Sequence, residues 1–176
     1  NQGLGKLDEA AKSYRKAINI RADYAEAHYS LGAVLIKLGR LDDAVSSYHK
    51  ALAIKPDFAE ANNNLGATLK ELGQLDDAVS NYHKALAINP DLAEAHNNLG
   101  AALEELGQLD GAVASYRKAL HIKPDYAEAH SNLGTVLKEL RRLDEAINHY
   151  HKAVAIKPNY SKAYNNLGIV LMELGR

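Results

Sequence analysis

The sequence predicts an all-α protein, an α-solenoid built from helix–turn–helix repeats. Three observations carry that expectation. Ala25-Glu26-Ala27 returns every 34 residues at Ala59, Ala93 and Ala127, and Leu31-Gly32 returns at Leu65, Leu99, Leu133 and Leu167. Tyr48, Tyr82, Tyr116 and Tyr150 keep the same step, and so do Pro56, Pro90, Pro124 and Pro158. Between these markers the apolar residues fall at helical spacing. A unit repeated in this way cannot bury its apolar face alone and stacks against its neighbours.

Counted from Ala25, full repeats occupy residues 25–58, 59–92, 93–126 and 127–160. Residues 1–24 match the last two-thirds of a repeat and 161–176 the first half of another, so 1–176 reads as a single array. Neither end carries an atypical, polar capping repeat, and the chain is expected to be a piece of a longer repeat protein.

Each repeat opens at a boundary. The Pro cannot continue the helix before it; Ala22 stands there at the first boundary. The pairs Asp23/Glu26, Asp57/Glu60, Asp91/Glu94 and Asp125/Glu128 are spaced as capping boxes, a pattern weakened at Asn159/Lys162. The first helix then runs through Ala61, Leu65, Leu69 and Leu72. Gly73 stops it, with Gly39, Gly107 and Gly175 in the same role and Arg141 as a departure. The second helix carries Leu75, Ala78, Val79, Tyr82, Ala85, Leu86 and Ile88, with Asp76 and Asp77 in the first turn, where the helix dipole favours negative charge. Gly66 and Ala78 lack bulk where two backbones are expected to approach, and Tyr82 fills the larger gap. Gly3 and Gly5 read as remnants of a turn.

Composition excludes several function classes. A formal net charge of −1 argues against nucleic acid as the partner. The absence of Cys excludes disulfides and thiolate metal sites, and fits a reducing, cytoplasmic compartment. No apolar run approaches the roughly 20 residues that span a bilayer, so no membrane partner is expected. His49, His83 and His151 share one repeat position. Adjacent repeats stack at about 8–10 Å, too far for a shared metal bond of about 2 Å. His149 and His151 lie two apart on a helix and point to different faces. Asp42-Asp43 sits at a helix start, and no nucleophile stands beside a base. The segment is expected to be non-catalytic, without metal or cofactor.

The small/Leu-Gly/Ala/Tyr/Ala/Pro pattern on a 34-residue helix–turn–helix resembles the tetratricopeptide repeat over the whole chain. His28, Asn62, His96, His130 and Tyr164 stand where that family usually has a large aromatic at the fourth position. The Asn-Asn-Leu-Gly and Leu-Lys-Glu-Leu-Gly phrases are similar to the repeat region of O-linked N-acetylglucosamine transferases. The resemblance implies a right-handed superhelix with first helices lining a concave groove and second helices outside. It also implies that the groove binds an extended peptide or a partner protein, and that repeat positions 2, 5, 6, 9, 12 and 13 face it.

Position 5 holds Tyr29, Asn63, Asn97, Ser131 and Asn165, and position 6 holds Ser30, Asn64, Asn98, Asn132 and Asn166. Together they would form a ladder of amides. Each amide offers donor and acceptor to a peptide backbone, which suits an extended segment of loose sequence. The alternative is that the position 6 amides simply join neighbouring repeats; position 5 is less generic in the family, so Asn63, Asn97 and Asn165 carry more functional weight. Lys70, Glu104 and Lys138 at position 12, with Glu71, Glu105 and Glu139 at position 13, give a mixed but net acidic wall that favours a neutral-to-basic peptide. Solvated Lys/Glu pairs are the alternative reading of those charges. The family's carboxylate clamp, Lys at position 5 with Asn at position 9, is absent, because position 9 is Ala33, Ala67, Ala101, Thr135 and Ile169.

The leading expectation is a protein- or peptide-binding scaffold. One alternative is a non-catalytic substrate-recruiting arm of a larger glycosyltransferase. Another is a self-assembling array whose two half-repeats join head to tail, covering Leu167, Leu171 and Leu174.

Overall fold

The Leu- and Ala-rich stretches between the Pro-Asp markers fold as helices. A computed structural model describes residues 2–175, with side chains from residue 4 onward. Among the described residues there are ten α-helices and no strand. They form two compact units, one ending at Pro90 and the other beginning at Asp91. The first unit holds α1 (Gln2–Ile20), α2 (Ala25–Lys37), α3 (Leu41–Ile54), α4 (Ala59–Glu71) and α5 (Leu75–Ile88). The second holds α6 (Ala93–Glu105), α7 (Leu109–Ile122), α8 (Ala127–Glu139), α9 (Leu143–Ile156) and α10 (Ser161–Glu173). Within each unit every helix packs on the next, and first helices also touch: α2 meets α4, α6 meets α8 and α8 meets α10. Gly3 and Gly5 lie inside α1, so the reading of a turn there is corrected.

The turns follow local chemistry. Gly39, Gly73, Gly107 and Gly175 take positive φ of 71°, 77°, 72° and 66°. After α2, the Gly39 N–H reaches the Ile36 carbonyl and the Arg40 N–H reaches the Leu35 carbonyl, both at 2.9 Å. This is a Schellman stop, which satisfies carbonyls the helix end would otherwise orphan. Arg141 adopts the same left-handed conformation at φ 60°, with the matching bonds to Lys138 and Leu137 at 3.0 and 2.8 Å. A side chain there costs about 1–2 kcal/mol that glycine avoids.

The capping-box Asp residues do not stand at the N-cap. The N-cap residues are Tyr24, Phe58, Leu92, Tyr126 and Tyr160, and none makes a side-chain cap bond. The Asp is used one residue earlier. In the second unit Lys123-Pro124-Asp125-Tyr126 closes as a turn, the Tyr126 N–H bonding the Lys123 carbonyl at 3.2 Å. Pro at the second place and Asp beside it suit such a turn. The aromatic that follows gains a cation instead: Lys123, Lys157 and Lys55 lie 5.0, 4.9 and 4.7 Å from the rings of Tyr126, Tyr160 and Phe58. Glu128 keeps its first-turn place and pairs with Lys157 at 2.9 Å, which holds its carboxyl below the ordinary value.

One contact organises each hairpin. Tyr48, Tyr82, Tyr116 and Tyr150 are fully buried. A Cβ added at Gly32, Gly66, Gly100 or Gly134 would lie 2.7–2.8 Å from the Tyr ring of the following helix. At Gly66 it would also meet the Ala78 carbonyl oxygen at 3.1 Å. The glycine therefore makes room first for the ring and second for the helix backbone. Gly100→Val is expected to destabilise the fold by about 1–3 kcal/mol through overpacking. At Gly168 nothing lies within 4 Å of the added atom, so Gly168→Ala is expected to gain about 0.5–1 kcal/mol from helix propensity. Urea melts of the two variants check this contrast.

Candidate functional site

Repeat positions 5, 6, 12 and 13 lie on the first helices, and each unit arranges them separately. In the first unit Tyr29 is half-buried, its ring 4.8 Å from that of Phe58 and 5.8 Å from that of Tyr48. Asn64 on α4 donates from Nδ2 to the Tyr29 hydroxyl across to α2 at 3.0 Å. Asn63 in turn donates to Asn64 Oδ1 at 3.4 Å. Burial pushes the Tyr48 hydroxyl up to about 12, so it is neutral throughout the physiological range. Lys70 is half-buried and Glu71 exposed.

In the second unit the amides bridge successive first helices. Asn132 on α8 donates from Nδ2 to Asn97 Oδ1 on α6 at 3.3 Å. Asn166 on α10 donates to Thr135 Oγ1 on α8 at 3.4 Å, and the Tyr150 hydroxyl donates to the same oxygen at 3.3 Å. Asn98 is half-buried and Asn165 exposed. Ser131 is fully buried, and its hydroxyl has no hydrogen-bond partner.

Burial changes the weighting of these residues. Asn63 and Asn97 are only 3 % and 8 % exposed, whereas Asn64, Asn98, Asn132 and Asn166 are half-buried. Of the position 5 amides, Asn63 and Asn97 are therefore buried and Asn165 is exposed, while the position 6 amides stay partly open to solvent. The position 6 amides of α4, α8 and α10 also make the bonds between repeats that the alternative reading required.

The charged groups are unequal. Glu105 and Glu139 are exposed and Lys138 half-buried. Glu104 accepts a hydrogen bond from the Tyr116 hydroxyl at 2.8 Å. Burial raises its carboxyl above the ordinary value, and the Tyr116 bond only partly offsets this. The sequence ranked Glu104 as one charge among several. Its partner Tyr116 lies on the next helix, so the pairing has no signal in the local pattern.

A second cluster has no counterpart in the sequence reading. His130 on α8 and His149 on α9 meet with Nδ1 atoms 2.9 Å apart. A signal existed: His149 stands in the register of Ser47, Asn81 and Ser115, each of which bonds the carbonyl four residues back at 2.8–2.9 Å. His49, His83 and His151 are exposed. Among the described residues no group of three or more His, Asp or Glu could hold a metal ion, and no helix is long and apolar enough to cross a membrane.

The raised Glu104 carboxyl has a sign that can be worked out. The folded state binds this proton more tightly than the unfolded chain does. The associated stability is therefore present at acid pH and is lost as pH rises through the raised value. Glu104→Gln is expected to remove that loss, leaving stability less dependent on pH above the ordinary carboxylate range. Denaturant melts of both proteins across this range provide the check.

The sequence profile of the TPR repeat matches residues 4–39, 32–73, 68–107, 105–141 and 137–175. Comparison with curated protein sequences gives no match. Among solved structures the chain is similar to a crystal structure of MamA, with 26 % identity, 92 % of this chain and 94 % of that one covered, and a TM-score of 0.81. It is similar to YrrB, described as a TPR protein with an unusual peptide-binding site, at 25 % identity over 93 % of this chain and 84 % of that one, with a TM-score of 0.75. MamA from Desulfovibrio magneticus RS-1 matches in fold at 24 % identity, with 89 % of each chain covered and a TM-score of 0.79. The repeat matches run in overlapping succession through nearly the whole sequence, and the chain belongs to the TPR repeat family.

Proposed function

We propose that the chain is a protein-interaction scaffold whose first helices hold an extended, neutral-to-basic peptide through the side-chain amides of repeat position 6. Asn132 carries this reading. It is half-buried on α8 and spends one Nδ2 hydrogen on Asn97. Its Oδ1 and second hydrogen remain to accept from and donate to a peptide backbone. Bonding to Asn97 also limits the rotamers of Asn132, which lowers the entropy lost on binding. The exposed carboxylates of Glu71, Glu105 and Glu139 set the charge preference, and salt weakens it. The peptide-binding site stated for YrrB accords with this use of the fold. No catalytic step is assigned to the segment.

A peptide array against the intact chain supplies ligands for measurement. Asn132→Ala is expected to weaken a bound peptide by about 1 kcal/mol, the net contribution of a hydrogen bond, or about fivefold in Kd. Asn97→Ala combined with Asn98→Ala is expected to weaken it further. Unchanged affinity in all these variants, with helicity retained, refutes the amide reading. A recruiting role within a larger glycosyltransferase uses the same surface, and a glycosyltransferase domain in the same reading frame is the test of it.

One observation favours self-association as a second reading. The four equivalent glycines of the earlier repeats each receive a Tyr ring, whereas nothing lies within 4 Å of a Cβ built at Gly168. Tyr14 on α1 holds the register of those tyrosines. A second copy can dock α1 on α10 through a heterologous contact. Light scattering at rising concentration is expected to show growing mass, reduced by Gly168→Leu. A strict monomer at millimolar concentration overturns it.

A further inference from the structure

The imidazole pair of the second unit opens into a cavity of about 500 Å³ bordered by α7, α8 and α9. Hydrogen-bond geometry determines its protons. The Pro124 carbonyl oxygen can only accept, so His130 Nε2, 3.0 Å away, carries hydrogen and donates to it. In neutral His130 the Nδ1 atom is then an acceptor, and His149 Nδ1 donates to it across 2.9 Å. His149 is left with a bare lone pair on Nε2 and no partner for that atom among the described residues. Arg117, His121 and Lys152 stand around the same cavity, with Leu120 and Ile156 as apolar lining.

The local charge is positive. Glu145, one turn before His149, is gripped at both oxygens by Arg142 at 2.7 Å and approached by Arg117 at 3.5 Å. Glu145, and Asp110 near Arg142, set against Arg117, Arg142 and Lys152 still leave an excess of cations. That field disfavours a metal ion on the His149 lone pair and favours an anion that brings a proton with it.

We infer that this cavity is an oxyanion site for an acidic side chain of a partner polypeptide, held by Arg117 and Lys152 and by His149 Nε2–H once a proton has entered with the ligand. The residues that would hold the ligand lie on the second helices α7 and α9, with His130 of α8 behind His149, and none of them belongs to the amide surface described above. The groups facing His149 are Arg117 and His121 from α7, His130 from α8, and Glu145 and Lys152 from α9. Burial, then the neighbouring His130 and the cations, holds His149 down at about 4, so the empty cavity contains a neutral ring at pH 7. A docked carboxylate favours the imidazolium and raises that value. Anion binding therefore strengthens as pH falls. The apolar lining gives room for a hydrophobic residue beside the acidic one.

Ring nitrogen NMR of His149 on the intact chain tests this, titrated in N-acetylglutamate, inorganic phosphate or chloride at matched ionic strength. N-acetylglutamate is expected to raise the His149 pKa by about one unit, a tenfold preference of the anion for the protonated ring. Arg117→Ala and Lys152→Ala, both surface changes, are expected to reduce that rise. His149→Asn restores the residue type of Asn81 and is expected to abolish the pH dependence of N-acetylglutamate binding without loss of fold. An equal rise in chloride, or none in N-acetylglutamate, overturns the proposal. A response confined to phosphate overturns its assignment to a carboxylate side chain, and a response to added zinc in place of anions overturns the anion site itself.

Discussion

A buried tyrosine ring seated on a glycine holds each hairpin together. With hydrogen as the side chain at Gly32, Gly66, Gly100 and Gly134, the ring of the next helix lies where a Cβ would otherwise sit. The two helices can then approach closely enough for Ala44, Ala78, Ala112 and Ala146 to be fully excluded from water. An aromatic of this size contributes roughly 150–250 Å² of buried surface. No other residue in the hairpin replaces that area, because most of its remaining core positions are alanine, leucine or valine. The residues carried by α2, α4, α6 and α8, including their part of the amide surface, inherit their position from this contact.

The polar chemistry is divided between the two kinds of helix. First helices carry amides that bond from one repeat to the next, as in Asn132 to Asn97 and Asn64 to Tyr29. Such bonds satisfy groups that are too buried to rely on water. They also orient the remaining donors and acceptors, so that a bond between repeats leaves the same side chain able to serve the binding role proposed above. Second helices carry Arg117, His121, His149 and Lys152, which border the cavity of the second unit together with His130 of α8. The two surfaces differ in charge and in chemistry.

Much of this was legible in the sequence, for a definite reason. The 34-residue period, the helix spans and the glycine stops depend on local backbone preferences and on which residues can face a core, and both recur from repeat to repeat, with Arg141 as the departure among the stops. The N-cap falls one residue later than the capping-box spacing suggests: Pro124-Asp125 closes a turn, and the helix begins after Tyr126. Local patterns could suggest either use of Asp125, and spacing alone did not separate them by one residue.

The sequence by itself determined the repeat, its helices and the set of side chains each helix displays, since these follow from periodicity within about one turn of chain. Tertiary structure decided which of those side chains stay reachable. Asn63 and Asn97 sink beneath the surface while Asn132 stays half-buried, although all are amides on first helices. It also decided that His130 meets His149 and that Glu104 meets Tyr116, pairs that are formed only when one helix packs on the next. Burial and partnership are properties of neighbours that are distant along the chain, and a repeating local pattern contains no information on the distance between them in space.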